Sequence, residues 1–272
     1  MTWRWWEELT TAEFAALDPR WTVAILPLAA IEQHGPHLPL GTDAILCDGV
    51  LAAALESLSG VGPVLRLPTQ RIGLSTEHAG FAGTLTAADA GLLAVWSDIG
   101  RSVARSGVRK LIVFNTHGGQ PALVDLLAQR LRHDERLLVA RANLFAFGIP
   151  ADVITERERK YGLHGGQIET SLMLRIAPHL VRRELLADFR SRAEDVDGAC
   201  GALEVAGATG LAWQAEDLNV AGAVGNAAAG SAALGERLLQ YAAKRLATII
   251  EDVQRLADWP PSAAETPRQP RH

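Results

Sequence analysis

The chain has 272 residues, 48% of them hydrophobic and 21% charged, with a net charge of −5. That length and balance support a sizeable buried core; they exclude the basic stripe of a nucleic-acid surface and weigh against a membrane-surface role. Two cysteines, Cys47 and Cys200, make no disulfide framework, the opening MTWRWWEE lacks the flank and apolar stretch of a signal peptide, and no 18-residue apolar run occurs, so a cytoplasmic protein is expected.

The first strand is expected at Val23–Leu28, a short apolar run suited to burial on both faces. A Gly/Pro/His-rich loop follows from Ile31 to Thr42, and then a helix from about Ala44 to Leu58. Val64–Leu67 reads as a second strand, residues 69–86 as a long loop, and Ala87 to Ser106 as a helix that Gly107 ends. Lys110–Asn115 is the strongest strand signal. It is followed by Thr116-His117-Gly118-Gly119-Gln120 and by a helix whose first turn holds Pro121 and which runs to about Arg132.

Further strand is expected over Leu137–Ala142, mixed loop and charged helix over 143–167, and amphipathic helix over Ile168–Ala177. The Gly/Ala-rich stretch 198–230 suggests tight turns, and a last helix runs from about Ser231 to Ala257. Strand and helix alternate, so the expectation is an α/β protein with a mainly parallel sheet covered by helices. One domain is expected over residues 1–259, followed by a Pro-rich disordered tail over 260–272.

The residues with metal-ligating chemistry gather after strands. Glu32 and His34 are two apart, so in an extended segment they point to one side. Asp43 follows at the start of a helix, where it could also serve as an N-cap. His117 lies just past the strongest strand, with Gly118 and Gly119 allowing close backbone approach to a ligand. In a parallel sheet all these positions lie at the carboxyl edge, where ligand sites form.

Glu169 sits among Ile168, Leu172 and Leu174, where a carboxylate needs a partner and a metal would serve. Two histidines and three carboxylates form a mixed N/O set suited to Zn or Mn, with Fe also compatible. The set is large enough for two metals if one carboxylate bridges. His37 reads as a loop histidine. Glu77 and His78 read either as a surface loop pair or as groups near the site. His133 and the charges from Glu156 to Lys160 read as solvated helix faces.

Glu32-Gln33-His34-Gly35-Pro36-His37-Leu38-Pro39-Leu40-Gly41-Thr42-Asp43 resembles the signature of the creatininase (creatinine amidohydrolase) family. Ser75-Thr76-Glu77-His78, Phe81-Ala82-Gly83-Thr84, Asn115–Gln120, His164–Ser171 and Gly222–Asn226 continue the resemblance in the family's order, across about residues 20–240.

The resemblance implies a three-layer α/β/α fold with a mainly parallel central sheet and a binuclear metal centre. Glu32, Asp43 and His117 would hold one metal, and His34, the bridging Asp43 and a further glutamate the other. Creatininase proper has its glutamate two residues after the histidine matching His117, whereas this chain has Gly119, so the resemblance assigns that ligand to Glu169. His164 matches the family's general acid/base histidine, while Glu77, His78, Gly118 and Gly119 are expected to contact substrate.

Two divalent ions, Zn and/or Mn, are the implied cofactors, and a homo-oligomer, often a hexamer in the family, the implied assembly. The implied reaction is hydrolysis of a C–N bond in a small amide, with a metal-bridging hydroxide attacking the carbonyl carbon. Glu169 is carried as ligand or general base. No Trp lies between Trp96 and Trp213, which disfavours creatinine itself as substrate. The alternatives are a metallopeptidase trimming a peptide precursor, as in mycofactocin maturation, and a catalytically silent scaffold. No nucleotide-binding glycine motif joins a strand to a helix.

Overall fold

The computed structural model describes residues 3–59, 62–150, 152–207 and 209–256. The chain runs β1 (Trp3–Trp5), α1 (Thr11–Ala15), β2 (Val23–Leu28), α2 (Thr42–Glu56), β3 (Val64–Arg66), α3 (Asp89–Arg105), β4 (Lys110–Asn115), α4 (Pro121–Asp134) and β5 (Leu138–Asn143). It continues through α5 (Glu156–Tyr161), α6 (Gln167–Ile176), β6 (Asp188–Phe189), α7 (Ala193–Ala199), α8 (Ala215–Leu218), β7 (Gly225–Asn226) and α9 (Ala232–Arg255). The expected tail at 260–272 and the last residue of the expected C-terminal helix lie outside the described residues.

Five strands form one sheet in the order β1-β3-β2-β4-β5, every pair parallel. Strands β2 and β4 pair along their whole lengths, from Val23 opposite Lys110 to Leu28 opposite Asn115. Both are buried throughout, which is why each reads as a continuous apolar run instead of an alternating one.

Alternate residues serve opposite faces. Val23, Ile25, Ile112 and Phe114 pack with α2 and α9, whereas Ala24, Leu26, Leu111 and Val113 pack with α3 and α4. The result is the expected three-layer α/β/α arrangement. Helix α6 lies on α9 at backbone contact: a Cβ on Gly235 would come within 1.9 Å of the Ser171 carbonyl oxygen. Among the described residues, no helix is long and apolar enough to cross a membrane.

Differences from the sequence expectation are local. β1 is a three-residue edge strand whose conformation comes from pairing with β3. The stretch 69–86 is tied down by short bridges, Leu28 to Gln70, Gly73 to Thr86 and Ile31 to Leu85, and carries a 3₁₀ turn at Thr76–His78. Residues 198–230 include α8 and β7 between turns. The charged run 156–160 is not uniformly solvated: Glu158 is buried, and its carboxylate accepts the backbone N–H groups of Gln167 at 2.7 Å and Asn226 at 2.8 Å.

Candidate metal centre

Because β2, β3 and β4 are parallel, their carboxyl ends share one edge of the sheet, and the segments leaving them carry the site. Glu32 and His34 follow β2, Glu77 and His78 follow β3, and His117 follows β4. Asp43 is the second residue of α2, whose N-cap is Gly41, so it does not cap the helix. Glu169 lies in the first turn of α6 and His164 in the loop before it.

The loop after β2 folds back on itself, with the Glu32 N–H bonded to the Leu40 carbonyl at 2.9 Å. Gly35 holds a positive φ of 71°, and a Cβ there would meet the Ala223 methyl at 2.6 Å. That position accommodates glycine on both counts.

The five residues expected to bind metal converge. Asp43 presents its two oxygens to different imidazoles: Oδ1 lies 3.3 Å from His34 Nε2, and Oδ2 lies 3.2 Å from His117 Nδ1. Glu32 Oε1 is 3.2 Å from His117 Nδ1, and Glu169 Oε1 is 3.5 Å from His34 Nε2. Each histidine is oriented by its other nitrogen. His34 Nδ1 is 3.1 Å from the Glu32 carbonyl, and His117 Nε2 is 2.8 Å from the Leu74 carbonyl. Such backbone contacts fix the tautomer that leaves the inward nitrogen free to ligate.

The His117 loop is braced in turn. Asn115 Nδ2 donates to the His117 carbonyl, Gln120 donates to Asn115 Oδ1, and the Thr116 hydroxyl donates to the Asp43 carbonyl.

Glu32 Oε2, His34 Nε2 and Asp43 Oδ2 are buried and have no hydrogen-bond partner. Orphaned polar atoms carry a desolvation cost unless something charged sits between them. His34, Asp43 and Glu169 bring ligand atoms within 4.8 Å of one another, as do Glu32, Glu77 and His117. An N/O donor set of this kind fits Zn or Mn.

Charge balance follows the same geometry. Burial alone would pull His34 down, but Asp43 and Glu169 more than offset it and hold the imidazolium well above the ordinary histidine value. His117 behaves alike: burial opposes, and Glu32 and Asp43 prevail. Burial opposes ionisation of Asp43 as well, but His34 and His117 hold its pKa below the carboxylate range. Glu77 shifts the other way, raised chiefly by burial.

His164 stands beside this cluster. Its Nε2 is 2.6 Å from the Gln33 carbonyl, and its ring stacks on both His34 and His78 at 4.1 Å between centroids. That leaves Nδ1 as its free atom, 3.8 Å from Glu32 Oε1. Burial, and then the charge on His34, lower its pKa.

The structure takes Glu77 and His78 out of the surface-pair alternative. His78 is buried, its Nε2 is 3.5 Å from Glu32 Oε1, and burial drives its pKa down to about 2. His37 is buried too, with Nε2 at 2.9 Å from the Gly165 carbonyl and 3.0 Å from Thr170 Oγ1, and its ring stacks on Phe189. It ties the first motif to the His164 loop and lies outside the ligand cluster.

Above the cluster opens a cavity of about 560 Å³. It is lined by Glu32, Asp43, Glu77, His117, His164 and Glu169 of the cluster, by Gly118 and Gly119, and by an apolar wall of Phe145, Leu163, Leu211 and Trp213. Sequence reading missed that wall. The one available signal was Trp213, a large aromatic stranded in a Gly/Ala-rich stretch, with its Nε1–H held by the Val205 carbonyl at 3.1 Å.

Fold and site together define an α/β protein of the class that gathers divalent-metal donors at the carboxyl edge of a parallel sheet. The sequence profile described as Creatininase: Creatinine amidohydrolase matches residues 7–250, and the chain belongs to the creatininase family of hydrolases.

Among its relatives, a protein of Mycobacterium ulcerans named mycofactocin precursor peptide peptidase is 31% identical over 185 residues, 66% of this chain and 68% of the relative. A creatinine amidohydrolase of Pseudomonas putida is 29% identical over 204 residues, 69% of this chain and 74% of its own. Two solved creatininase structures, a manganese form and a variant of zinc–zinc type, superpose with TM-scores of 0.72 and 0.73 at 25% and 26% identity. Each covers 91% of this chain and 97% of the solved one.

Proposed function

We propose that the chain is a binuclear metal-dependent hydrolase acting on an amide-type C–N bond in a substrate larger than creatinine. Three orphaned buried donor atoms, Glu32 Oε2, His34 Nε2 and Asp43 Oδ2, support metal binding most directly. Glu32, Asp43 and His117 would hold one ion, and His34, Asp43 and Glu169 would hold the other. Zn and Mn suit the donors, and both occur in the solved creatininase structures. When bound, such ions polarise a carbonyl and lower the pKa of water.

The chain's own residues supply the proton chemistry. With Nε2 committed to the Gln33 carbonyl, His164 takes a proton at Nδ1 and delivers it to the leaving nitrogen. An amine leaves far more readily than an amide anion, so this delivery is required. Gly118, beside which the space is open, lets substrate approach the cluster closely. Trp213, Leu211, Leu163 and Phe145 offer an apolar wall, and a cavity of about 560 Å³ accommodates more than a five-membered ring.

The peptidase reading draws on the same cavity and on the 31% identity to the Mycobacterium ulcerans relative. A panel of cyclic amides, formamides and short peptides separates the two. The family resemblance also supports a homo-oligomer, a hexamer, which light scattering tests.

Metal analysis of protein purified without chelator is the central experiment. Less than about 0.2 ion per chain, with nothing restored by Zn or Mn, overturns the reading. His164→Ala is expected to abolish turnover while leaving metal content intact. Loss of metal in that variant would make His164 a ligand instead.

A further inference from the structure

Position 119 bears no side chain, and the volume beside it is already filled. A Cβ built on Gly119 would fall 1.6 Å from Glu77 Oε1, 2.7 Å from its carboxyl carbon and 2.7 Å from His117 Nε2. Glu77 arrives from a different crossover, the 3₁₀ turn Thr76–His78 that follows β3, and its Oε1 lies 3.4 Å from His117 Nε2. It shares a cluster with Glu32 and His117 in which the ligand atoms lie within 4.8 Å of one another. Beside this cluster Glu32 Oε2 and Asp43 Oδ2 are buried and unpartnered.

Glu77 shares its cluster with the Glu32 carboxylate, no lysine or arginine is found among the described residues lining the cavity, and His117, the imidazole beside it, is shared with Glu32 and Asp43. The position of Glu77 is intelligible if a cation sits where these oxygens meet. The 3₁₀ turn that presents it is not free to swing away. The Ser75 N–H donates to Thr86 Oγ1 at 2.9 Å, and the Leu74 N–H donates to Gln120 Oε1 at 3.1 Å. Gln120 is also the residue that braces Asn115 and thereby the His117 loop.

We propose that Glu77 is a further carboxylate ligand of the ion held by Glu32, Asp43 and His117, and that residue 119 is glycine because the Glu77 carboxylate occupies the volume of its side chain. This rests on the reading of the site as a metal centre. It changes the part played by Glu77 from a substrate contact to a metal-facing group. It also predicts a reciprocal dependence between two residues 42 positions apart by their numbering: a side chain at 119 costs less when Glu77 is shortened.

The test is isothermal titration of the metal-free full chain with Zn and with Mn, combined with a thermal double-mutant cycle on the same metal-free protein. Glu77→Gln keeps the shape and removes the charge. It is expected to weaken one of the two metal sites by at least about tenfold, leaving the other unchanged. Gly119→Ala is expected to lower the melting temperature, Glu77→Ala to leave it nearly unchanged, and the Glu77→Ala/Gly119→Ala double variant to recover part of the loss, the remainder coming from the contact with His117 Nε2.

Two wild-type-like metal sites in Glu77→Gln, with only KM raised, would overturn the ligand assignment. Additive melting shifts would overturn the steric coupling. If the wild-type chain itself binds no metal, the metal reading of the whole site falls, whereas a failure confined to Glu77→Gln leaves that reading standing.

Discussion

Replacing Glu158 by alanine is the sharpest test of how the His164 loop is held. The carboxylate is buried, and it accepts two backbone N–H groups from different segments, Gln167 at the start of α6 and Asn226 in β7. Three glycines make room for it: a Cβ on Gly162, Gly166 or Gly225 would come within 2.4, 2.5 or 2.8 Å of Glu158 Oε1.

Removing both acceptors leaves two part-buried donors unpaired. At about 1–2 kcal/mol each, the loss is about 2–4 kcal/mol. For a domain of this size, 1 kcal/mol moves the melting temperature by about 2–4 °C, so the expected fall is roughly 5–15 °C in differential scanning calorimetry. Glu158→Gln keeps one acceptor and should lose about half as much. Metal content should persist in both variants, because none of the proposed ligands is touched, while turnover falls as the loop carrying His164 loosens. A melting temperature within about 1 °C of wild type for Glu158→Ala would refute the account.

His37 sets an acid limit. Burial holds its pKa at about 4, below the unfolded value of about 6.5, and its buried Nδ1 has no partner to receive a proton. The folded state therefore binds fewer protons, and stability is lost as pH falls from about 6.5 towards 4, by at most about 3 kcal/mol. His78, driven lower still by burial, adds to the same limb, so His37→Gln should lessen the loss in urea titrations run across the pH range, and an unchanged limb would assign it elsewhere. Gly235→Ala forces a methyl onto the Ser171 carbonyl, a backbone atom that cannot rotate aside, and should cost about 1–3 kcal/mol or more in denaturant unfolding. Chelation of the metal-loaded protein should lower its melting temperature, since a ligand at a hundredfold its Kd contributes about 2.7 kcal/mol; an unchanged value argues against tight metal binding. Trp213→Ala should raise KM for the preferred substrate several-fold with little change for the smallest amides, as measured by steady-state kinetics.

The central strands were legible because they are buried on both faces: Val23–Leu28 and Lys110–Asn115 have the bounds expected of them. That Glu32, His34, Asp43 and His117 would gather was legible from their places after strands, and Glu169 from its carboxylate among apolar helix residues. What could not be read depends on which loops meet. Nothing local marks Glu158 as buried in a run of charges, since its partners lie on α6 and β7. Nothing near Gly119 in the chain announces that Glu77 fills its place. His37 looked like a loop residue because its contacts, Gly165 and Thr170, are 128 and 133 positions away. The edge strand β1 takes its conformation from β3 and has too few residues to show a period.

The residues of the site arrive on separate crossovers, and the His164–Gln33 bond alone spans 131 residues of chain. Contacts of that separation form late, because loop closure must be met before they return anything. The expected order is a sheet that forms first and a carboxyl edge that is knitted last, so that a bound cation would act as a clasp on the finished object instead of a seed for it. Unfolding should run in reverse, with amide hydrogens of the loops at 31–42, 74–79 and 162–167 exchanging well before those of β2 and β4.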